Sequence, residues 1–259
     1  MVRPAPGGSL CRAALFAVAL LFAIPHQASA DSNALWHIVG SLCVPDEKDN
    51  HSPRPCEEVN LAGGYAVLKD IVGKTQFLLI PTKRIAGIES PAILAPNAPD
   101  YWEAAWQARR FVDERAQRQL PRHVIGLAIN SISGRTQNQL HIHVDCMRPD
   151  VISALREHAA AIGPKWTKFP VPLSGHEYMA MRLDQANLAN TNPFVLLADG
   201  VPGARADMGH ETLVVVGDTY KGKDGFVLLA GHANPATGNW GAGEQLQDHS
   251  CVAASFAAQ

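Results

Sequence analysis

The chain has 259 residues, with 22 Lys+Arg against 24 Asp+Glu, a formal charge of −2 and 47% hydrophobic residues. It carries no long Lys/Arg run, so it lacks the electrostatic footprint of a nucleic-acid binder, and no nucleic acid is expected as a partner. A small nucleotide or phosphate ligand needs only a few local cations and stays open, and the length allows one large core or two modest ones.

Arg3 and Arg12 give a positively charged start, "AALFAVALLFAI" fills 13–24, and the small residues "ASA" at 28–30 precede Asp31. This is the layout of a secretory signal with a small-residue cleavage site. The twelve apolar residues are fewer than the roughly 20 that a spanning helix needs. Residues 1–30 are therefore expected to be a signal peptide, cleaved after Ala30 to leave a soluble or peripheral periplasmic protein, or a retained anchor in the inner membrane. In both cases the body lies outside the cytoplasm. Cys11 belongs to this leader, which leaves Cys43, Cys56, Cys146 and Cys251, an even set suited to an oxidising compartment. Three pairings are open. Cys43–Cys56 is preferred because it closes "VPDEKDNHSPRP", a stretch expected to be a loop too hydrophilic to hold itself together. Cys146–Cys251 then ties the C-terminus to the strand that ends at 146. No C-x-x-C spacing supports a zinc site.

Two apolar runs, 64–71 and 75–85, are separated by "VGK" and predict a hairpin with Gly73 in its turn. A Pro-rich linker, 91–99, leads to Asp100, which with Glu103 forms a capping-box pattern. The helix expected over 100–118 carries Tyr101, Ala104, Ala105, Ala108, Phe111 and Val112 on one face and ends at Pro121. A strand over 124–132, the Gly-bearing loop "SGRTQ" and the strand "TQNQLHIHVDC" (136–146) complete a β-β-α-β-β order. That order predicts an α+β domain built on an antiparallel sheet with a packed helix. Runs at 177–183, 192–208, 211–217 and 225–232 repeat a β-α-β-β order. They are expected either to be a diverged second half or to extend the same sheet. The resulting organisation is 1–30 leader, 31–150 catalytic half, and 151–259 a half that completes the fold.

In the strand 136–146, side chains alternate between faces. Leu140, Ile142 and Val144 share one face, and Gln139, His141, His143 and Asp145 share the other. Two imidazoles side by side admit three readings. They could be hydrogen-bonded core residues. They could be ligands of a metal, with His123, His176, Asp145 and Glu177 as further candidates. Or they could be a nucleophile acting on phosphorus together with its neighbour.

The segment "LAINSISGRTQNQLHIHV" resembles the signature of the histidine-triad superfamily, with Gln139, His141 and His143 at its three positions. "LKDI" followed by "QFLLIPTKRI" resembles the hairpin of that superfamily. The likeness places Asp70 on a ribose, Asn130, Gly134 and Thr136 at matching positions of the phosphate loop, and Arg84 where the superfamily has a His. The loop between Asn130 and His141 is about two residues shorter than usual. "PTKRIAGIESP", "GRTQNQLHIHVDCMRPD", "GHEYMAMRL" and "FVLLA…DHSC" together resemble the bacterial CDP-diacylglycerol pyrophosphatase family, from about Trp36 to Cys251 and including the four cysteines.

The resemblance implies hydrolysis of CDP-diacylglycerol to CMP and phosphatidate at the inner membrane, with membrane lipid as the setting and with neither metal nor cofactor. It implies attack by neutral His141 and a covalent CMP–histidine intermediate, with the Nδ1–H held by a backbone carbonyl near Gln139. His143, about 6 to 7 Å along the strand from its two-residue rise, would donate to a phosphate or bridging oxygen. Arg135, Thr136 and the amides near Gly134 would cradle the phosphates, with Arg84 and Lys83 in support. Three alternatives remain: a soluble nucleotide diphosphate or another acceptor, a metal-dependent hydrolase using His141 and His143 as ligands, and a non-catalytic binding module.

Overall fold

The computed structural model describes Met1, Val2 and residues 31–252. The leader and Cys11 thus lie outside the described residues, as does the question of cleavage. No helix among the described residues is long and apolar enough to cross a membrane.

The first element is helical where a polar loop was expected. The segment runs through α1 (Ala34–Trp36), a π-helical stretch (His37–Cys43) and α2 (Val44–Asn50). A Pro in the first turn of α2, with Asp46 and Glu47 beside it, suits a helix N-terminus. Leu35, Val39 and Cys43 pack against the hairpin that follows, and this packing rather than local periodicity holds the segment. The Cys43–Cys56 disulfide closes the turn back, with Cα atoms 5.7 Å apart.

A short strand, β1 (Glu58–Asn60), precedes the hairpin of β2 (Tyr65–Lys69) and β3 (Phe77–Pro81). The hairpin connection spans 70–76, longer than the expected "VGK" turn, because ladder pairing stops at Lys69↔Phe77. β3 is apolar throughout because both its faces are covered. Phe77 and Leu79 face the helix α3 (Tyr101–Ala116), and Leu78 and Ile80 face the N-terminal helix. Asp100 caps α3 as expected, accepting the Glu103 amide. Glu103 does not complete the capping box, because its carboxylate accepts from the Leu188 amide at 2.6 Å. The buried face of α3 also takes in Trp102 and Trp106, which meet Phe194 and Phe226 with ring centroids 5.0 and 4.9 Å apart. Ala104 is only partly buried.

The remaining elements are β4 (Ile125–Ile129), β5 (Ile142–Cys146), α4 (Pro149–Glu157), β6 (Thr167–Lys168), β7 (Met179–Leu183), α5 (Pro193–Gly200), β8 (Glu211–Tyr220) and β9 (Lys223–His232). The nine strands of the described residues form one antiparallel sheet in the order β1-β2-β3-β5-β4-β8-β9-β7-β6. Outside β1 the order is a mirror: β2-β3-β5-β4 meets β8-β9-β7-β6 at the β4–β8 seam, where Gly126 pairs with Val216 and Ile129 with Leu213.

One sheet face carries the main core with α3 and α5. The other face carries two smaller clusters, one under the N-terminal helix and one under α4. His143 pairs with Leu78 of the first small cluster and with Ala128 of the second. The polar face of β5 therefore opens between two apolar patches.

Candidate active site

A cavity of about 390 Å³ lies there, with His141, His143, Asn130, Asp70, Glu244 and His249 in its lining. His141 immediately precedes β5 and is nearly buried. Its Nδ1 is 2.7 Å from the Gln139 carbonyl oxygen. A carbonyl only accepts, so Nδ1 carries the proton and Nε2 keeps its lone pair. Burial holds the His141 pKa below the ordinary 6.5 against the pull of that hydrogen bond, so the ring is neutral at pH 7.

His143 lies closer to His141 than strand rise alone suggests. The ring centroids are 4.8 Å apart, edge to face. Its Nδ1 is 2.7 Å from the Gln76 amide nitrogen and 3.0 Å from Glu244 Oε2, while its buried Nε2 has no partner. Burial, reinforced by the neighbouring His141 and His249, pushes its pKa well below 6.5. Burial also raises the pKa of the Glu244 carboxyl.

Asp145, named in the sequence only as a candidate metal ligand, is fully buried. It accepts from the Thr75 hydroxyl at 2.7 Å, from the Cys146 amide at 2.9 Å and from His249 Nδ1 at 3.0 Å. The hydrogen bond to Asp145 raises the His249 pKa above 6.5 against partial burial. The carboxylate behind His249 thus favours its cationic form at the cavity wall. The segment carrying Glu244 and His249 is drawn across β5 by the Cys146–Cys251 disulfide, by Asp248 N–H donating to the Cys146 carbonyl, and by the Met147–Gln247 pairing. Sequence reasoning missed both residues. The only trace was "DHSC", a motif quoted without assigning its His.

Of the other expected residues, Asn130, Thr136, Gly134 and Asp70 line the cavity. Asn130 Oδ1 accepts the Glu244 amide at 3.2 Å, and Asp70 Oδ1 accepts the Val72 amide at 3.0 Å. The Gly134 and Arg135 amides donate to Ser131 rather than into the cavity. Gly134 matters for space instead: a Cβ there would lie 2.8 Å from the Trp240 carbonyl oxygen and 3.0 Å from that of Gly241. Gly134→Ala must displace backbone, with an expected cost of about 1–3 kcal/mol in denaturant unfolding.

Four expected contacts are corrected by the structure. Arg135 does not face the cavity, because it forms a two-point ion pair with Glu89 at 2.5 and 2.7 Å. Arg84 bonds the Asn33 side chain and lies over the Trp36 ring. Lys83 is exposed outside the cavity. The Gln139 side chain is spent on the Pro81 and Lys83 carbonyls and the Ile85 amide, and only its own carbonyl serves the site. Of the candidate metal ligands, His123 sits at the opposite end of β4 from Asn130, and His176 and Glu177 precede β7 across the sheet. Among the described residues no group of three or more His, Cys, Asp or Glu is placed to hold a metal ion.

A family model described as CDP-diacylglycerol pyrophosphatase matches residues 30–255. The chain belongs to that family. A CDP-diacylglycerol pyrophosphatase is a hydrolase acting on the pyrophosphate bond, and its substrate, CDP-diacylglycerol, joins a nucleotide to a lipid through two phosphates. A crystal structure of a DUF4931 family protein from Bacillus cereus ATCC 10987 is similar over 68% of this chain and 84% of its own, at 10% identity and a TM-score of 0.43.

Proposed function

We propose that the cavity cleaves CDP-diacylglycerol in two steps through a covalent CMP–His141 intermediate, on a histidine-triad-like site formed by the half 31–150 and completed by 151–259. The observation that carries this is the His141 tautomer, fixed by the Gln139 carbonyl so that Nε2 is the nucleophile. Nε2 attacks the cytidine-side phosphorus, a P–N bond forms, and the P–O bond to phosphatidate breaks. Water then attacks the same phosphorus, the P–N bond breaks, and CMP leaves with His141 restored. Splitting the displacement in this way replaces one high barrier with two lower ones.

His249 and the Thr136 hydroxyl neutralise and position phosphate oxygens. Glu244 holds His143 and accepts a proton from the attacking water, a task suited to a carboxyl whose pKa is raised. Asp70 is assigned to the ribose by its place in the motif. The mirrored strand order supports reading 151–259 as a diverged second half, and the lipid substrate supports a membrane setting for the enzyme.

The test is intact-protein mass after rapid mixing with CDP-diacylglycerol in chelator and immediate quenching. A transient gain of one CMP is expected. Loss of turnover in chelator would favour a metal-dependent hydrolase and overturn this mechanism.

The pKa directions fix the shape of the pH profile. His141 stays neutral to below pH 6.5, and His249 stays charged to above it. The kcat/KM plateau should therefore straddle that value. Asp145→Asn removes the group that raises His249, and the alkaline limb should move to lower pH while the acid limb stays. Asp145 is a positioning residue, and this asymmetric shift separates that role from a general loss of fold.

A further inference from the structure

The polar lining of the cavity accounts for only half of the substrate. The other half is two acyl chains, which water does not dissolve and which reside in a bilayer. The rest of the cavity lining includes apolar residues: Leu35 and Ile38 of the N-terminal helix, Leu68 and Leu78 of the β2–β3 hairpin, and Ile71 and Val72 of its connection. Ile71 is fully exposed and Val72 is 52% exposed. Leu42, four residues after Ile38 on the same helix, is also 52% exposed.

This is not a loose loop that happens to carry apolar residues. Gly73 adopts a left-handed φ of 69°, and a Cβ there would lie 2.6 Å from that of His249. Lys74 N–H donates to the His249 carbonyl at 3.0 Å. Lys69 Nζ donates to the Asp70 and Gly73 carbonyls at 2.6 and 3.0 Å. The connection is thus fixed to the segment that carries the site's cation while it presents two bare aliphatic side chains to solvent. Exposed apolar groups at the mouth of a pocket mark a contact surface, and the substrate of this site is lipid.

Resting on the catalytic reading of the cavity, we propose that Ile71 and Val72 enter the headgroup–acyl boundary of a bilayer. The Leu35–Ile38 side of the helix then receives the first methylenes of the acyl chains. Docked in this way, the enzyme takes CDP-diacylglycerol in the plane of the membrane and slides its pyrophosphate toward His141. The exposed Lys74 adds a cation beside the anionic headgroups.

The experiment uses the full chain and the double variant Ile71→Ser/Val72→Ser. Two substrates are compared: long-chain CDP-diacylglycerol in phosphatidylcholine vesicles, and a soluble CDP-diacylglycerol with four-carbon chains. Sedimentation with substrate-free vesicles is measured in parallel. Losing two aliphatic contacts should lower vesicle binding by roughly 30-fold, and vesicle kcat/KM by roughly 30-fold more than kcat/KM on the soluble substrate. Ile71→Leu/Val72→Leu should behave as the unaltered chain. Unchanged sedimentation, or an equal loss on both substrates, would overturn the docking proposal. No turnover of either substrate by the unaltered chain would overturn the catalytic reading, while sedimentation would still decide the docking one.

Discussion

His141→Ala is expected to lower kcat on CDP-diacylglycerol by about 10⁴-fold, the scale on which loss of a nucleophile is felt, with KM nearly unchanged. The CMP adduct should vanish with it. The reason lies in the division of labour across the cavity: His249 and Thr136 can still bind and polarise the phosphates, but direct attack by water forgoes the two-step path. His143→Ala should cost less, about 10²–10³-fold as for loss of one preorganised donor, and should still accumulate adduct. The smaller His141→Ala side chain leaves the Gln139 carbonyl without its donor, an expected loss of about 1–3 kcal/mol, so thermal unfolding is measured on the same preparations. Equal turnover in His141→Ala would remove the covalent mechanism altogether.

Cys146→Ser/Cys251→Ser should be the most damaging change to stability. The bridge spans 105 residues, and a loop of that size corresponds to about 4.7 kcal/mol of chain entropy. Cys43→Ser/Cys56→Ser, with a separation of 13, should cost about 3 kcal/mol by the same relation. Activity should separate the two further. The longer bridge anchors the segment that places Glu244 and His249, so its loss should depress kcat at temperatures where the protein is still folded. Guanidinium unfolding of the unreduced proteins, paired with kcat well below each Tm, measures both effects. A 146/251 variant with full kcat would show that the β5 pairing of this segment suffices without the bridge.

The alternation in 139–146 was enough to divide β5 into a core face and a site face, because period two is a property of the strand itself. The orders β2-β3-α3-β4-β5 and β7-α5-β8-β9 were legible from their apolar runs and turn signals, whereas the N-terminal helix, β1, α4 and β6 were not. What the sequence could not show was contact across long separations. Arg135 looks like a phosphate ligand until Glu89, 46 residues away, is found to occupy it. Asp145 and His249 are 104 residues apart, and nothing local to either marks the pair. The helix over 44–50 was unreadable because "VPDEKDN" has no apolar periodicity, its fold being imposed by the packing of Leu35 and Val39 one to two turns earlier and by the disulfide at its end. Trp102 and Trp106 are absent from the apolar face expected for α3, yet they are contacts that join α3 to Phe194 and Phe226 of the second half.

The mirrored sheet has a consequence for how the chain is made. Ribosomal synthesis delivers the first half complete, with β1 to β5 able to pair, but one flank of β4 stays bare until β8 arrives. Through the same interval Cys146 lacks its partner, since Cys251 lies 105 residues further along the chain. The nascent protein therefore passes through a stage with an apolar strand edge and a free thiol side by side, a combination that invites pairing with another copy. Holding that edge apart until the C-terminal segment closes over it is the task this topology sets for whatever accompanies the chain during folding.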